Sequence, residues 1–154
     1  MKYAIFTDIH GKDLSELERA LSFEKSDVLI CMSDFDQVSS IRQFMELEEK
    51  YKNNGKKVIV VPGNHDHSIL FGLEFSSETL WDQNKTFEQL YHELKNDSIA
   101  RNYISTLINK RSSYKNKPVE PFLERFRLYN KFNCAVVHGA LSGDMSSWPG
   151  CPSH

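Results

Sequence analysis

The stretch Val58-Ile59-Val60-Val61-Pro62-Gly63-Asn64-His65-Asp66 decides the fold. Its first half is a continuous apolar run, the pattern of a strand buried on both faces rather than one. Pro62 and Gly63 stop the run, and an amide, an imidazole and a carboxylate follow at once. Three further short apolar runs end in the same way. Residues 3–6 lead to Asp8 and His10, residues 28–32 lead to Ser33-Asp34-Phe35-Asp36, and residues 134–137 lead to His138-Gly139.

Helical patterns separate the first three runs. Leu14, Leu17 and Leu21 mark one apolar stripe, with Asp13 as its expected N-cap. Ile41, Phe44, Met45 and Glu48 begin a second helix between Val38 and Tyr51, and Asn54-Gly55 is its stop signal. Residues 1–61 therefore read strand–helix–strand–helix–strand. That order specifies an α/β fold with a parallel sheet and right-handed crossovers. Residues 68–121 are polar and contain no strong strand run. We read them as a helical insertion, with helices at 86–96 and 98–110, inside one domain spanning 1–154. Residues 126–129 and 132–137 then form an expected hairpin.

Composition narrows the function classes. The chain has 154 residues, 40% hydrophobic and 26% charged, which is ordinary for a globular protein. Its 19 basic and 21 acidic residues leave a net charge of −2, with no basic footprint for duplex nucleic acid or an anionic membrane. No apolar run approaches the roughly 18 residues of a membrane helix, and the N-terminal apolar stretch is too short for a signal-peptide core. The 3 cysteines, Cys31, Cys134 and Cys151, are odd in number and far apart. Reduced thiols in a cytoplasmic protein are the expectation.

The four strand-end clusters carry the chemistry. Ligands of an open parallel sheet bind beyond the carboxyl ends of its strands, so clusters in register with four strands converge on one edge. Carboxylate, imidazole and amide oxygen together suit Mn, Fe or Zn. Asp8 and His10, two residues apart on an extended segment, can face one ion. Asp34 can bridge two ions with its two oxygens. Such a pair of cations acidifies a water and clamps the oxygens of an in-line displacement.

Asp8-Ile9-His10, Asp34, Gly63-Asn64-His65-Asp66 and His138-Gly139 together resemble the motifs of the calcineurin-like metallophosphoesterase superfamily. The Gly-Asn-His-Asp tetrad is the most specific element, and the resemblance covers residues 1–67 and 126–143. It implies an α/β/β/α sandwich. It implies a dinuclear-metal phosphoesterase that hydrolyses a phosphomonoester or phosphodiester, nucleotides included, by attack of a metal-bound hydroxide. Asp8 and His10 would hold the first divalent ion, Asp34 would bridge, and Asn64 and His138 would hold the second. His65 would protonate the leaving group, with Asp66 orienting it.

Three features depart from the family pattern. Ser33 stands where Gly is usual, and the nearby acid is Asp36, read as a loop or supporting acid rather than a ligand. No Gly-His-x-His element follows His138. The strands also number too few for the second sheet. The expectation is a sandwich incomplete at its C-terminus, with one or two ligand positions empty. The competing reading is a non-catalytic scaffold or an inactive fragment of this fold.

Overall fold

The structure is a computed structural model and describes residues 2–72, 85–112, 123–128 and 132–137. Strands β1 (Tyr3–Thr7), β2 (Val28–Met32) and β3 (Lys57–Val60) form a parallel sheet in the order β1-β2-β3. Tyr3 pairs with Val28 and Thr7 with Met32, while Val28 pairs with Lys57 and Cys31 with Val60. Helices α1 (Ser15–Glu24) and α2 (Val38–Asn53) make the two crossovers. Three more helices follow: α3 (Asn64–Phe71), α4 (Phe87–Lys95) and α5 (Ser98–Ser112). Strands β4 (Leu123–Leu128) and β5 (Phe132–Val137) form an antiparallel pair, closing at Leu128 opposite Phe132. The chain is thus mixed α/β, with a parallel sheet as its organising element and five helices among the described residues.

Side-chain alternation along β2 shows why its run is apolar throughout. Leu29 and Cys31 join the main core, whereas Val28 and Ile30 join Ile59 and Val61 in a second buried cluster. Successive residues of a strand point to opposite faces, so a sheet covered on both sides needs apolar residues at every position. The helices supply the main core through their expected stripes. Ile41, Phe44, Leu47 and Tyr51 of α2 are buried, as is Leu21 of α1.

Local signals behave as the sequence leads one to expect, with small shifts. Asp13 lies one residue outside the formal cap of α1, yet its Oδ1 accepts from Ser15 N–H at 2.8 Å, satisfying a helix-end donor. Gly55, at φ +75°, turns the chain out of α2 in the left-handed conformation glycine adopts without strain. The helices of the polar segment reach the core: Leu90, Leu94, Ala100, Ile104 and Ile108 belong to the same buried cluster as Leu29 and Phe44. Arg42 of α2 ties this segment down with a two-pronged bond to Asp97, at 3.0 and 2.7 Å. No described helix is long and apolar enough to cross a membrane.

Candidate metal centre

Beyond the ends of β1 and β2 the two loops stay hydrogen-bonded to each other. Ile9, His10 and Gly11 donate their N–H groups to the carbonyls of Ser33, Asp34 and Phe35, at 3.1, 2.7 and 2.8 Å. Ile9 is buried in the core and pins this loop from below. Asp8 and His10 flank it.

The backbone here is unusual. Asp8, His10, Ser33, Asp34 and Asp36 all have positive φ, at 55°, 45°, 20°, 59° and 64°. Each such residue costs about 1–3 kcal/mol and persists only where its surroundings over-determine it. Strain of this kind concentrates at functional sites, and Asp is among the cheaper side chains to place there. At Asp36 the Gln37 N–H reaches the Phe35 carbonyl at 2.7 Å, closing a three-residue turn. A positive φ at the centre makes it the rarer, strained hand of the γ-turn.

The side chains then gather. Asp8, His10 and Asp34 bring ligand atoms within 4.8 Å of one another, and so do His10, Asp36 and His65. His10 Nε2 faces Asp8 Oδ1 at 3.3 Å, while its Nδ1 meets Asp36 Oδ2 at 3.0 Å. His65 Nδ1 meets the other oxygen, Asp36 Oδ1, at 2.9 Å. Asp34 is 2% exposed, and its Oδ1 accepts from the His65 N–H at 3.1 Å. That donor belongs to the first turn of α3, whose unpaired N–H groups favour an anion.

Asp66 does something different from the orienting role expected for it. Its Oδ2 accepts from Gly63 N–H at 2.8 Å, Asp34 N–H at 2.9 Å and Ser33 Oγ at 2.6 Å, and its Oδ1 accepts from Phe35 N–H at 2.9 Å. The carboxylate that reaches the His65 ring is Asp36, and this corrects the assignment. The reason is helical geometry. Neighbouring residues on a helix point about 100° apart. Asp66, the third residue of α3, therefore turns back onto its cap at Gly63 and across to β2, while His65 faces the loops.

Ser33 fits where glycine is usual because its hydroxyl is used. The Oγ lies 2.6 Å from both Asp66 Oδ2 and the Val61 carbonyl. It joins the ends of β2 and β3 to the start of α3.

The electrostatics favour a cation. The Asp36 bond, with the charges of Asp36, Asp34 and Asp8, overcomes burial and raises His10 to about 9. Burial pulls His65 down, but Asp36 and Asp34 outweigh it and leave it raised. Burial and the neighbouring Asp34 charge push Asp66 up to about 6, against its hydrogen bonds. Three buried carboxylates at 2–3% exposure stand among these groups. Divalent charge would offset their mutual repulsion. The donor set of carboxylates and imidazoles suits a divalent cation.

Asn64 is the first residue of α3 and half-buried, so its backbone is held at the site's edge. His138 lies outside the described residues. Asp36, expected as a loop or supporting acid, meets the rings of both His10 and His65. One participant leaves no mark in the sequence pattern. Phe87, from the polar segment, packs edge-on against His65 with ring centroids 5.0 Å apart. Cys31 is fully buried, its thiol pushed well up by desolvation, and takes no part.

No curated protein and no solved structure matches the chain. A family model described as calcineurin-like phosphoesterase matches residues 1–149, nearly the whole sequence. With that match and this gathering of strand-end carboxylates and imidazoles, the chain belongs to the calcineurin-like phosphoesterase family.

Proposed function

We propose that this chain is a hydrolase of phosphomonoesters or phosphodiesters, nucleotide-type substrates included, that works with two divalent ions. The observation that carries the reading is the convergence of Asp8, His10 and Asp34 at the mouth of the parallel sheet. When bound, the ions supply an acidified water and screen the charge of the phosphate. Asp8 and His10 would hold the first, Asp34 would bridge, and Asn64 with His138 would hold the second.

The protein's own groups do the rest. His65 is the acid that gives its proton to the leaving oxygen. Its Nδ1 is engaged by Asp36, which leaves Nε2 for that transfer. Asp36 and Asp34 raise His65 and so favour its protonated form, the state an acid needs before the reaction. Asp66 keeps the Asp34 loop and the start of α3 in register, so that Asp34 and His65 face each other. Phe87 closes one side of His65 and limits the ring's freedom to swing away.

The test is hydrolysis of p-nitrophenyl phosphate and bis-p-nitrophenyl phosphate by the Mn2+-supplemented protein, beside His65→Ala. Turnover of either substrate is expected, with only a small fall in the variant because p-nitrophenolate leaves without a proton. Metal binding without turnover of either substrate would instead favour the non-catalytic scaffold.

A further inference from the structure

Lys85 stands where its charge does little for the fold. Its ammonium donates to Glu93 Oε1 at 2.8 Å and to Gln37 Oε1 at 3.4 Å. The two charged side chains remain 34% and 38% exposed, and an ion pair so open to water adds little stability. Gln37 is the N-cap of α2, whose first turn carries no acidic residue. A cation at that end of a helix opposes the helix dipole, so the contact does not brace α2 either.

The position has a different meaning when the metal centre is considered. Gln37 directly follows Asp36. Two residues beyond Lys85, the Phe87 ring packs edge-on against His65 at 5.0 Å. The run Lys85-Thr86-Phe87 therefore borders the side of the site on which His65 stands. Its backbone is fixed there by the cap of α4: Thr86 N–H donates to Gln89 Oε1 at 2.8 Å, and Thr86 Oγ1 accepts from Gln89 N–H at 3.2 Å. Only the long lysine stem is left to adjust. An ammonium has three donors, and Glu93 and Gln37 take two of them.

The His65 side is the side from which the leaving group departs. We propose that Lys85 is a specificity residue that selects esters whose leaving group carries a second phosphate. The proposal rests on the phosphoesterase reading above, with His65 as the acid. Glu93 holds the ammonium at the rim while the site is empty. A phosphate brings a charge of about −1.5 to −2 and three acceptor oxygens, more than the single carboxylate it displaces. Substrates with a lone phosphate leave the Lys85–Glu93 pair closed and gain nothing from it.

The experiment compares matched substrates on the Mn2+-loaded full chain: AMP with adenosine 3′,5′-bisphosphate, and glucose 6-phosphate with glucose 1,6-bisphosphate. It reads the ratio of kcat/KM for phosphate release within each pair, so a general loss of activity cancels. The wild type should favour a bisphosphate by about tenfold, well beyond the statistical factor that a second scissile group supplies. Lys85→Met should remove that preference, Lys85→Arg should keep most of it, and Glu93→Gln should widen it by freeing the ammonium. A residue that merely braced α4 would lower both members of a pair alike. An unchanged ratio in Lys85→Met, or no preference in the wild type, would therefore overturn the proposal. Should Lys85→Met not fold, Glu93→Gln decides, because a preference that fails to widen contradicts the displacement. If no substrate turns over, the phosphoesterase reading fails, and calorimetry with the same pairs tests the subsite by itself. Tighter bisphosphate binding that Lys85→Met abolishes sustains it, and equal affinities overturn it.

Discussion

Replacing Asp66 by alanine tests the claim that this residue holds the site together rather than orienting His65. The removed carboxylate accepts three backbone N–H groups, from Gly63, Asp34 and Phe35, and it contacts the Ser33 hydroxyl. Asp66 is 2% exposed, so water reaches those donors poorly. Each buried donor left unpaired costs about 1–3 kcal/mol, and Ser33 retains Val61 as an alternative acceptor. Three orphaned N–H groups then amount to about 6 kcal/mol at mid-range. Against this stands relief of an unfavourable charge. Asp66 at about 6, above an ordinary 3.8, makes its ionised form about 3 kcal/mol less favourable at neutral pH. The net loss is about 3 kcal/mol, or roughly 10 °C in melting temperature for a domain of this size. Asp66→Asn should lose much less. Its oxygen can take the crowded Oδ2 position and leave only Phe35 N–H facing an amide. The assay is thermal unfolding by circular dichroism of metal-free protein at neutral pH. An Asp66→Ala variant that melts within about 2 °C of wild type would refute the bracing role.

Other expectations follow from the same geometry. His10, raised to about 9, and His65, also raised, bind protons more tightly folded than unfolded. Their stabilisation is complete below about 6.5 and is lost as pH rises through the folded values. The melting temperature of metal-free protein should therefore fall between pH 6.5 and 8.5, and saturating Mn2+ should flatten that fall because a ligating His10 has already lost its proton. Persistence of the full slope in Mn2+ would argue that His10 is not a ligand. His65→Ala should lose about 10²–10⁴-fold on an alkyl phosphate ester and far less on a p-nitrophenyl ester, whose leaving group needs no proton. Equal losses on both would remove the acid role. Leu90→Ala should destabilise the whole protein by about 2–5 kcal/mol in one urea transition, since Leu90 is fully buried in the main core. A separate early transition would instead make the polar segment an independent unit.

How far the sequence discloses this molecule depends on which forces leave a mark in it. The parallel strands are legible because burial on both faces demands unbroken apolar runs, as at residues 28–32. Helices α1, α2, α4 and α5 are legible from stripes or caps. Helix α3 is not, because its eight residues begin with Asn64-His65-Asp66 and its apolar pair, Ile69 and Leu70, comes only at the end. The core role of the polar segment is hidden for a similar reason: it rests on a few residues, Leu90, Leu94, Ala100, Ile104 and Ile108, within a mostly hydrophilic stretch. At the site, the residue types that converge can be read from the strand ends, but their pairing cannot. Asp66 is adjacent to His65 in the chain yet points away from it. Asp36 reaches His65 because positive φ at residues 34 and 36 redirects the loop, and no sequence pattern announces the sign of φ at an aspartate.

The central claim is that ions held by Asp8, His10 and Asp34 make this chain a phosphoesterase. It is tested most directly by stripping the protein with chelator and titrating Mn2+ back while following bis-p-nitrophenyl phosphate hydrolysis, with Asp34→Asn alongside. The account predicts no turnover without metal, a rate that rises and saturates with Mn2+, and a loss of at least about a hundredfold in Asp34→Asn, as expected for a ligand whose removal empties the site. Hydrolysis that survives chelation, or an Asp34→Asn variant as active as wild type, would contradict it.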